Sequence, residues 1–298
     1  LVYPGALHTR FHHTLGAVHL MGLAVEELRA KGYEITDQEA EGVTLAILLH
    51  DIGHGPFSHA LEHSIVSGVS HEHLSKLFME RLNAEFNGKL DTAIAIFNDE
   101  YSKRFLHQLV SSQLDLDRLD YLRRDSFFTG VSEGIVGSDR IIKMLHVVND
   151  ELAVESKGIY SIEKFIVARR IMYWQVYLHK TVLSAEHLLI RILKRANELA
   201  KAGTALFATP ALHVFLDRKV TLDDFKNEPD LLTHFADLDD FDVLASVKVW
   251  KNHPDFVLSK LSSFLIDRRL LKIKLYSEEV PKEKLVGLRT KIASDWNI

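Results

Sequence analysis

Apolar residues recur at helical spacing through the start of the chain. Phe11, Leu15, Val18, Gly22, Val25 and Leu28 mark one face and predict a helix over residues 9–30. Gly32 supplies its stop. Thr36-Asp37-Gln38-Glu39 has the capping-box pattern, and Val43, Ala46, Ile47 and Leu48 carry the next helix to His50-Asp51. Gly53, Gly55 and Pro56 then break it. Ser58 can cap a helix bearing His59, Glu62 and His63, and Ser70 another from His71 to about Leu82. Residues 102–126 repeat the helical pattern with Leu106, Leu109, Leu116 and Leu119. Phe127 to Gly137 carries three glycines and reads as a loop.

Residues 144–148 and 151–155 alternate around Asn149-Asp150, the pattern of a small β-hairpin. Ser161 to about Ala202 contains neither Pro nor Gly, which predicts one long helix or two abutting ones. Short helices are expected near 211–217, 221–235 and 239–250, strands at Ser263–Ile266 and Leu270–Tyr276, and a last helix opened by Pro281. The expected architecture is mainly α: a helical domain over residues 1–202 with a small β-hairpin, then a smaller mixed α/β region over 203–298. No internal repeat interrupts it.

Composition narrows the function. Of 298 residues, 47% are hydrophobic and 26% charged, the proportions of an ordinary globular protein. The net charge of −5 argues against nucleic acid as the primary partner. There is no cysteine, which excludes disulfides, thiolate metal sites and a cysteine nucleophile, and suits a cytoplasmic setting. No apolar run reaches the roughly 18–20 residues of a membrane span. No signal peptide is read at the start. The chain opens at Leu1 and enters a motif almost at once, so native residues are expected to precede it. Histidine is concentrated: ten of 17 lie at or before His73. Imidazole is the commonest metal ligand and the usual proton carrier near neutral pH.

His50-Asp51 ends an apolar helix directly before the glycine-rich break. Neighbours on a regular helix point about 100° apart, but at a frayed end both side chains can turn to one ion. Imidazole with carboxylate suits a divalent metal such as magnesium, manganese, iron, zinc or nickel. The dipeptide alone is weak evidence, since a helix cap has the same look. His13 on the preceding helix and Asp117 on a later one complete a set of two imidazoles and two carboxylates.

With these residues in view, the chain resembles the deoxynucleoside triphosphate (dNTP) triphosphohydrolase branch of the HD superfamily. The matching stretches are Tyr3-Pro4-Gly5-Ala6 through His8-Thr9-Arg10-Phe11-His12-His13-Thr14-Leu15-Gly16, then Leu49 to His59, then Leu114 to Asp125. They fall in the first two thirds of the chain. The resemblance implies a hydrolase of nucleotide metabolism, with metal ligands His13, His50, Asp51 and Asp117. It would cleave dNTPs between the 5′ oxygen and the α-phosphorus, releasing a deoxynucleoside and triphosphate. It implies His59 as the acid, with Glu62 holding it where the family has Asp, His71 as a further catalytic histidine, and His54 as a phosphate contact. His63 and His73 read as surface residues or as supports behind the site rather than as catalytic groups. Arg10, Arg118 (a family lysine) and Arg169 align with triphosphate contacts. Tyr121 and Asp125, each four residues on from the last along the Asp117 helix, align with sugar contacts, and Tyr177 with a pocket tyrosine. Tyr173 and Leu178 depart from the vertebrate pattern. Relatives assemble as homo-oligomers, dimers or tetramers among them, and some take a nucleotide activator.

Two other readings stand beside this one. The first is another HD phosphohydrolase, acting on a nucleoside monophosphate, a cyclic nucleotide or an alarmone. The second is a catalytically silent regulator that binds nucleotides or single-stranded nucleic acid; the complete ligand set argues against it.

Overall fold

The capping box at Thr36 is closed in both directions. Thr36 Oγ1 accepts from the Glu39 N–H at 3.2 Å, and Glu39 Oε2 accepts from the Thr36 N–H at 2.8 Å. Lys103 and Tyr101 donate to the same buried carboxylate. Burial alone would raise the Glu39 pKa, but these donors hold it below its ordinary value. One end of the helix that delivers His50 and Asp51 is thereby fixed to the rest of the fold.

That helix is part of a computed structural model that describes residues 2–57, 61, 64, 66, 68–274, 276 and 278–296. Helix α1 spans Arg10–Ala30, α2 Asp37–Leu49, α3 His71–Glu85, α4 Asp91–Phe97, α5 Arg104–Val110 and α6 Leu116–Thr129. Thr9 caps α1 and Ser70 caps α3. Helix α2 packs between α1 and α4, and α6 packs on α1. The helix expected over 102–126 divides instead. Asp115 accepts from the Ser112 and Arg118 N–H groups at 2.8 and 2.7 Å, which ends one helix and caps the next. Helix α6 closes on Gly130, whose φ of 75° lies in the left-handed region that favours glycine.

The buried face of α1 is only partly the one expected. Ala17, Leu20, Met21, Ala24, Val25 and Leu28 are buried, whereas Phe11 is 66% exposed and Leu15 47%. Apolar residues surround this helix, so periodicity alone cannot choose its face. The small side chains of Ala17 and Ala24 let neighbouring helices approach.

After α7 (Ser138–Lys143), strands β1 (Leu145–Val148) and β2 (Glu151–Val154) form the hairpin, pairing Leu145 with Val154 and Val148 with Glu151. Asn149 and Asp150 both have positive φ, the conformation of a two-residue primed turn. The segment read as one or two helices is α8 (Ile159–Met172), a five-residue π turn (Tyr173–Tyr177) and α9 (Lys180–Lys201). The remainder is helical: α10 (Pro210–Asp217), α11 (Leu222–Asn227), α12 (Pro229–Ala236), α13 (Asp240–Trp250), α14 (Phe256–Ile266) and α15 (Lys282–Trp296). The strand expected at Ser263–Ile266 is corrected to the end of α14. Asp255 caps that helix by accepting from the Leu258 N–H, and Leu258, Leu261 and Leu265 fall at helical spacing. No described residue of 270–276 is in a strand. The mixed α/β tail is therefore helical among the described residues, while the mainly α fold with one hairpin stands.

Two hydrophobic clusters hold the molecule. The first gathers α1, α2, α5, α6 and α8; the second gathers α3 and α9–α14, with Trp250 and Phe215 fully enclosed. Because α9 belongs to the second cluster, the core does not divide at residue 202. No helix among the described residues is long and apolar enough to cross a membrane.

Candidate active site

His50 is the C-cap of α2 and keeps helical dihedrals. Its Nδ1 hydrogen-bonds the Ile47 carbonyl at 2.7 Å, which leaves Nε2 as the atom facing the site. Asp51 to Gly53 continue as a turn. Ser75, fully buried on α3, ties this turn down: its Oγ donates to the His50 carbonyl at 2.7 Å and accepts from the Gly53 N–H at 2.9 Å. A side chain at Gly53 would put Cβ 2.2 Å from the His71 carbonyl oxygen and 2.3 Å from the Ser75 nitrogen. Glycine is therefore what lets the turn meet the start of α3, and that contact brings His71 beside His54. Their rings stack at 3.8 Å.

Helices α1 and α6 supply the other side. His13 Nε2 lies 2.9 Å from Asp117 Oδ1, and His50 Nε2 lies 3.4 Å from the same oxygen. The ligand atoms of His13, His50 and Asp117 all fall within 4.8 Å of one another. Asp51 adjoins them, its Oδ1 3.4 Å from His50 Nε2 and 3.6 Å from His54 Nε2, while its Oδ2 accepts from Arg10 at 2.6 Å. Asp51, His54 and His71 make a second close group. Three of the four expected ligands thus meet at one place, and Asp51 lies beside them, grouped with His54 and His71.

The electrostatics fit a cation. Burial works against charge on His13, but hydrogen bonds to Asp117 and Asp120 raise its pKa to about 9. His50 is likewise raised against burial by Asp117 and Asp51. Asp117 is buried, which alone would raise it, yet the two imidazoles hold it well below the usual carboxylate range. Among the described residues, His50 Nε2 is buried without a hydrogen-bond partner within range. Two imidazole Nε2 atoms and an Asp117 oxygen within 4.8 Å of one another, with the Asp51 carboxylate alongside, are a donor set suited to a divalent metal, and a field that attracts protons attracts such an ion too.

His13, Asp51 and Asp117 form the floor of a cavity of about 790 Å³. Arg10, Arg118, Tyr121, Asp125, Arg169, Tyr173 and Tyr177 line its walls, together with His54 and His71. Asp125 accepts from the Tyr177 hydroxyl at 2.6 Å and pairs with His8 at 2.7 Å. Burial pushes the Tyr121 hydroxyl up to about 12, and burial with Asp125 pushes Tyr177 up as well. Arg118 turns back onto its own N-cap, Asp115, and Arg169 donates to Gln113 at 3.1 Å. Asp115 is pushed up to about 6 by burial and by Asp117. His59 and Glu62 lie outside the described residues, as does His63. His73 is exposed and bonds its own N-cap, Ser70.

Sequence reasoning missed two residues. Asp120, buried beneath His13, receives its Nδ1 at 2.7 Å. His8 pairs with Asp125 and stacks on Phe128 at 4.6 Å. Asp120 had one local signal, its place three residues after Asp117 in an acidic helix; His8 had none beyond its place in the motif.

The chain is similar to known proteins in sequence and fold. The profile of the HD domain matches residues 10–125, and that of an HD associated region matches residues 136–209. A crystal structure of a phosphohydrolase from Bacteroides thetaiotaomicron superposes with a TM-score of 0.96 at 58% identity, over 100% of this chain and 75% of that one. The uncharacterized protein YwfO of Bacillus subtilis is 32% identical over 96% of this chain, which spans 64% of that relative's length. The deoxynucleoside triphosphate triphosphohydrolase SAMHD1 homolog of Dictyostelium discoideum is 29% identical over 69% of this chain and 43% of its own.

Proposed function

The chain belongs to the HD-domain phosphohydrolase family, and from that premise we propose that it hydrolyses deoxynucleoside triphosphates to the deoxynucleoside and inorganic triphosphate. One observation carries the reading. The cavity whose floor holds His13, Asp51 and Asp117, with His50 Nε2 3.4 Å from Asp117 Oδ1, also has arginines and a hydrogen-bonded polar group, Tyr177–Asp125–His8, on its walls. Similarity to the Dictyostelium triphosphohydrolase supports the same substrate class.

A divalent cation held by the four ligands would offset phosphate charge and acidify a water molecule. The chain's own residues do the rest. Arg10, Arg118 and Arg169 bind the triphosphate, for which guanidinium groups are shaped. Arg118 and Arg169 exchange their contacts with Asp115 and Gln113 for phosphate oxygens. His54 faces the phosphate beside His71, and the family resemblance gives protonation of the departing 5′ oxygen to His59, with Glu62 as its partner. Tyr121 and Asp125 lie about 6 and 12 Å along α6 from Asp117, the direction in which a sugar would extend. Asp125 then accepts from the 3′-OH, and Tyr121 leaves no room for a 2′-OH.

The test is a product assay with each dNTP and NTP across several metals. Inorganic triphosphate, formed from dNTPs in preference to NTPs, is the expected result. Orthophosphate or pyrophosphate as the product would shift the assignment to another phosphohydrolase of the family.

A further inference from the structure

We infer that Asp120 and Arg124 are positioning residues that orient His13 towards the metal, and that Gly16 exists to make room for them. The inference rests on His13 being a metal ligand, as proposed above. Asp120 is 6% exposed, and its Oδ2 lies 2.7 Å from His13 Nδ1. A carboxylate only accepts, so Nδ1 carries a proton, and it is Nε2, 2.9 Å from Asp117 Oδ1, that would give up its proton to present a lone pair to a metal. Arg124, one turn further along α6, holds Asp120 with two parallel bonds, Nε to Oδ2 at 2.8 Å and Nη2 to Oδ1 at 2.9 Å. The bidentate geometry fixes the carboxylate plane, and with it the imidazole.

Gly16 gives independent support. It lies on α1 one turn after His13, and a Cβ there would sit 2.0 Å from Asp120 Oδ1 and 2.1 Å from Arg124 Nη2. Its φ is not positive, so no backbone requirement explains the glycine. The space it leaves is filled by the carboxylate–guanidinium fork. A buried carboxylate behind a ligating imidazole also raises the basicity of that ligand, and removing such a partner typically weakens metal binding about 10–100-fold.

Access makes the inference testable in an unusual way. Gly16, Asp120 and Arg124 border a second cavity of about 690 Å³, lined also by His19, Arg123 and Phe127. A small solute can therefore reach the place of the Arg124 side chain. The experiment is Mn²⁺ titration of the chelator-treated full chain by calorimetry, with circular dichroism as the fold control. Asp120→Asn should bind Mn²⁺ about 10–100-fold more weakly. Arg124→Ala should be weakened as well and should recover in guanidinium at non-denaturing concentration, but not in potassium chloride of equal strength. Gly16→Ala, with every ligand present, should show the Asp120→Asn loss. Wild-type affinity in Asp120→Asn, or an Arg124→Ala deficit that guanidinium leaves untouched, overturns the inference. His13→Ala separates the two levels: if it binds Mn²⁺ normally, the ligand assignment falls and the inference with it. If it loses binding while the Asp120, Arg124 and Gly16 variants keep it, only the positioning role falls.

Discussion

Ser75→Ala tests how the metal-site turn is held. Ser75 is fully buried and bridges two backbone groups, donating to the His50 carbonyl and accepting from the Gly53 N–H. Alanine fits the same space and removes both bonds at once. Each buried backbone group left without a partner costs about 1–3 kcal/mol, so the variant should lose about 2–6 kcal/mol. Urea unfolding monitored by circular dichroism, with chelator present, isolates this loss from metal linkage. Ser75→Thr retains the hydroxyl and should lose less. The geometry also predicts a second effect. His50 and Asp51 sit on the turn that Ser75 anchors, so metal affinity should fall in Ser75→Ala although no ligand has changed. A variant within about 0.5 kcal/mol of wild type, the range of an ordinary surface substitution, would show that the bridge does not hold the turn.

Other tests address separate parts of the molecule. Glu39→Gln should destabilise most at neutral pH. The folded-state pKa of Glu39 is depressed, so its contribution is present above the ordinary value of 4.5 and is lost as pH falls through the lower folded value. Urea midpoints of mutant and wild type should converge on acidification, and a pH-independent gap would count against the ion-paired carboxylate. Asp117→Ala should abolish metal content and activity while leaving the helical circular dichroism intact; normal metal by elemental analysis would remove Asp117 from the ligand set. Wild type should prefer dNTPs to dideoxynucleotides by about 10–100-fold in kcat/KM, the equivalent of one unpaired buried polar group. Asp125→Ala should erase that preference, and an unchanged ratio would place the 3′-OH elsewhere.

Much of the fold was legible because helix starts carry local chemistry. Thr36 with Glu39 and Ser70 before His71 could be read directly, as could the Asn149-Asp150 turn. Legibility ended where the deciding residue lay far from the segment it decides. Ser263–Ile266 looks like a strand until Asp255, eight residues upstream, is recognised as the cap of one helix. It ended again where the pattern was degenerate, as in α1, whose apolar residues surround the axis.

The candidate site divides along the same line. His13, His50, Asp51 and Asp117 could be singled out because ligand type and motif context are properties of the chain itself. Asp120 and His8 could not, since each acts on a partner more than 100 positions away: His13 and Asp120 are 107 residues apart, His8 and Asp125 117. Only the crossing of α1 and α6 makes those pairs. Tyr173 and Tyr177 are an intermediate case. Their spacing of four suggested one face of an α-helix, and their rings do meet edge to face at 5.2 Å. The winding there is nevertheless π, with the Leu178 N–H bonded to the Tyr173 carbonyl at 2.8 Å, five residues back. A π turn inserts one residue into the helical register and rotates the chain beyond it. Tyr177 reaches Asp125 from this widened turn, so the extra residue aligns the aromatic wall with α6. Deleting one residue at Gln175 should restore regular winding, carry the Tyr177 hydroxyl away from Asp125 and erase the preference for a 3′-OH in the dNTP-against-dideoxynucleotide assay, even though every side chain that lines the cavity is retained. An unchanged preference in that deletion variant would show that the π turn does not set the aromatic wall.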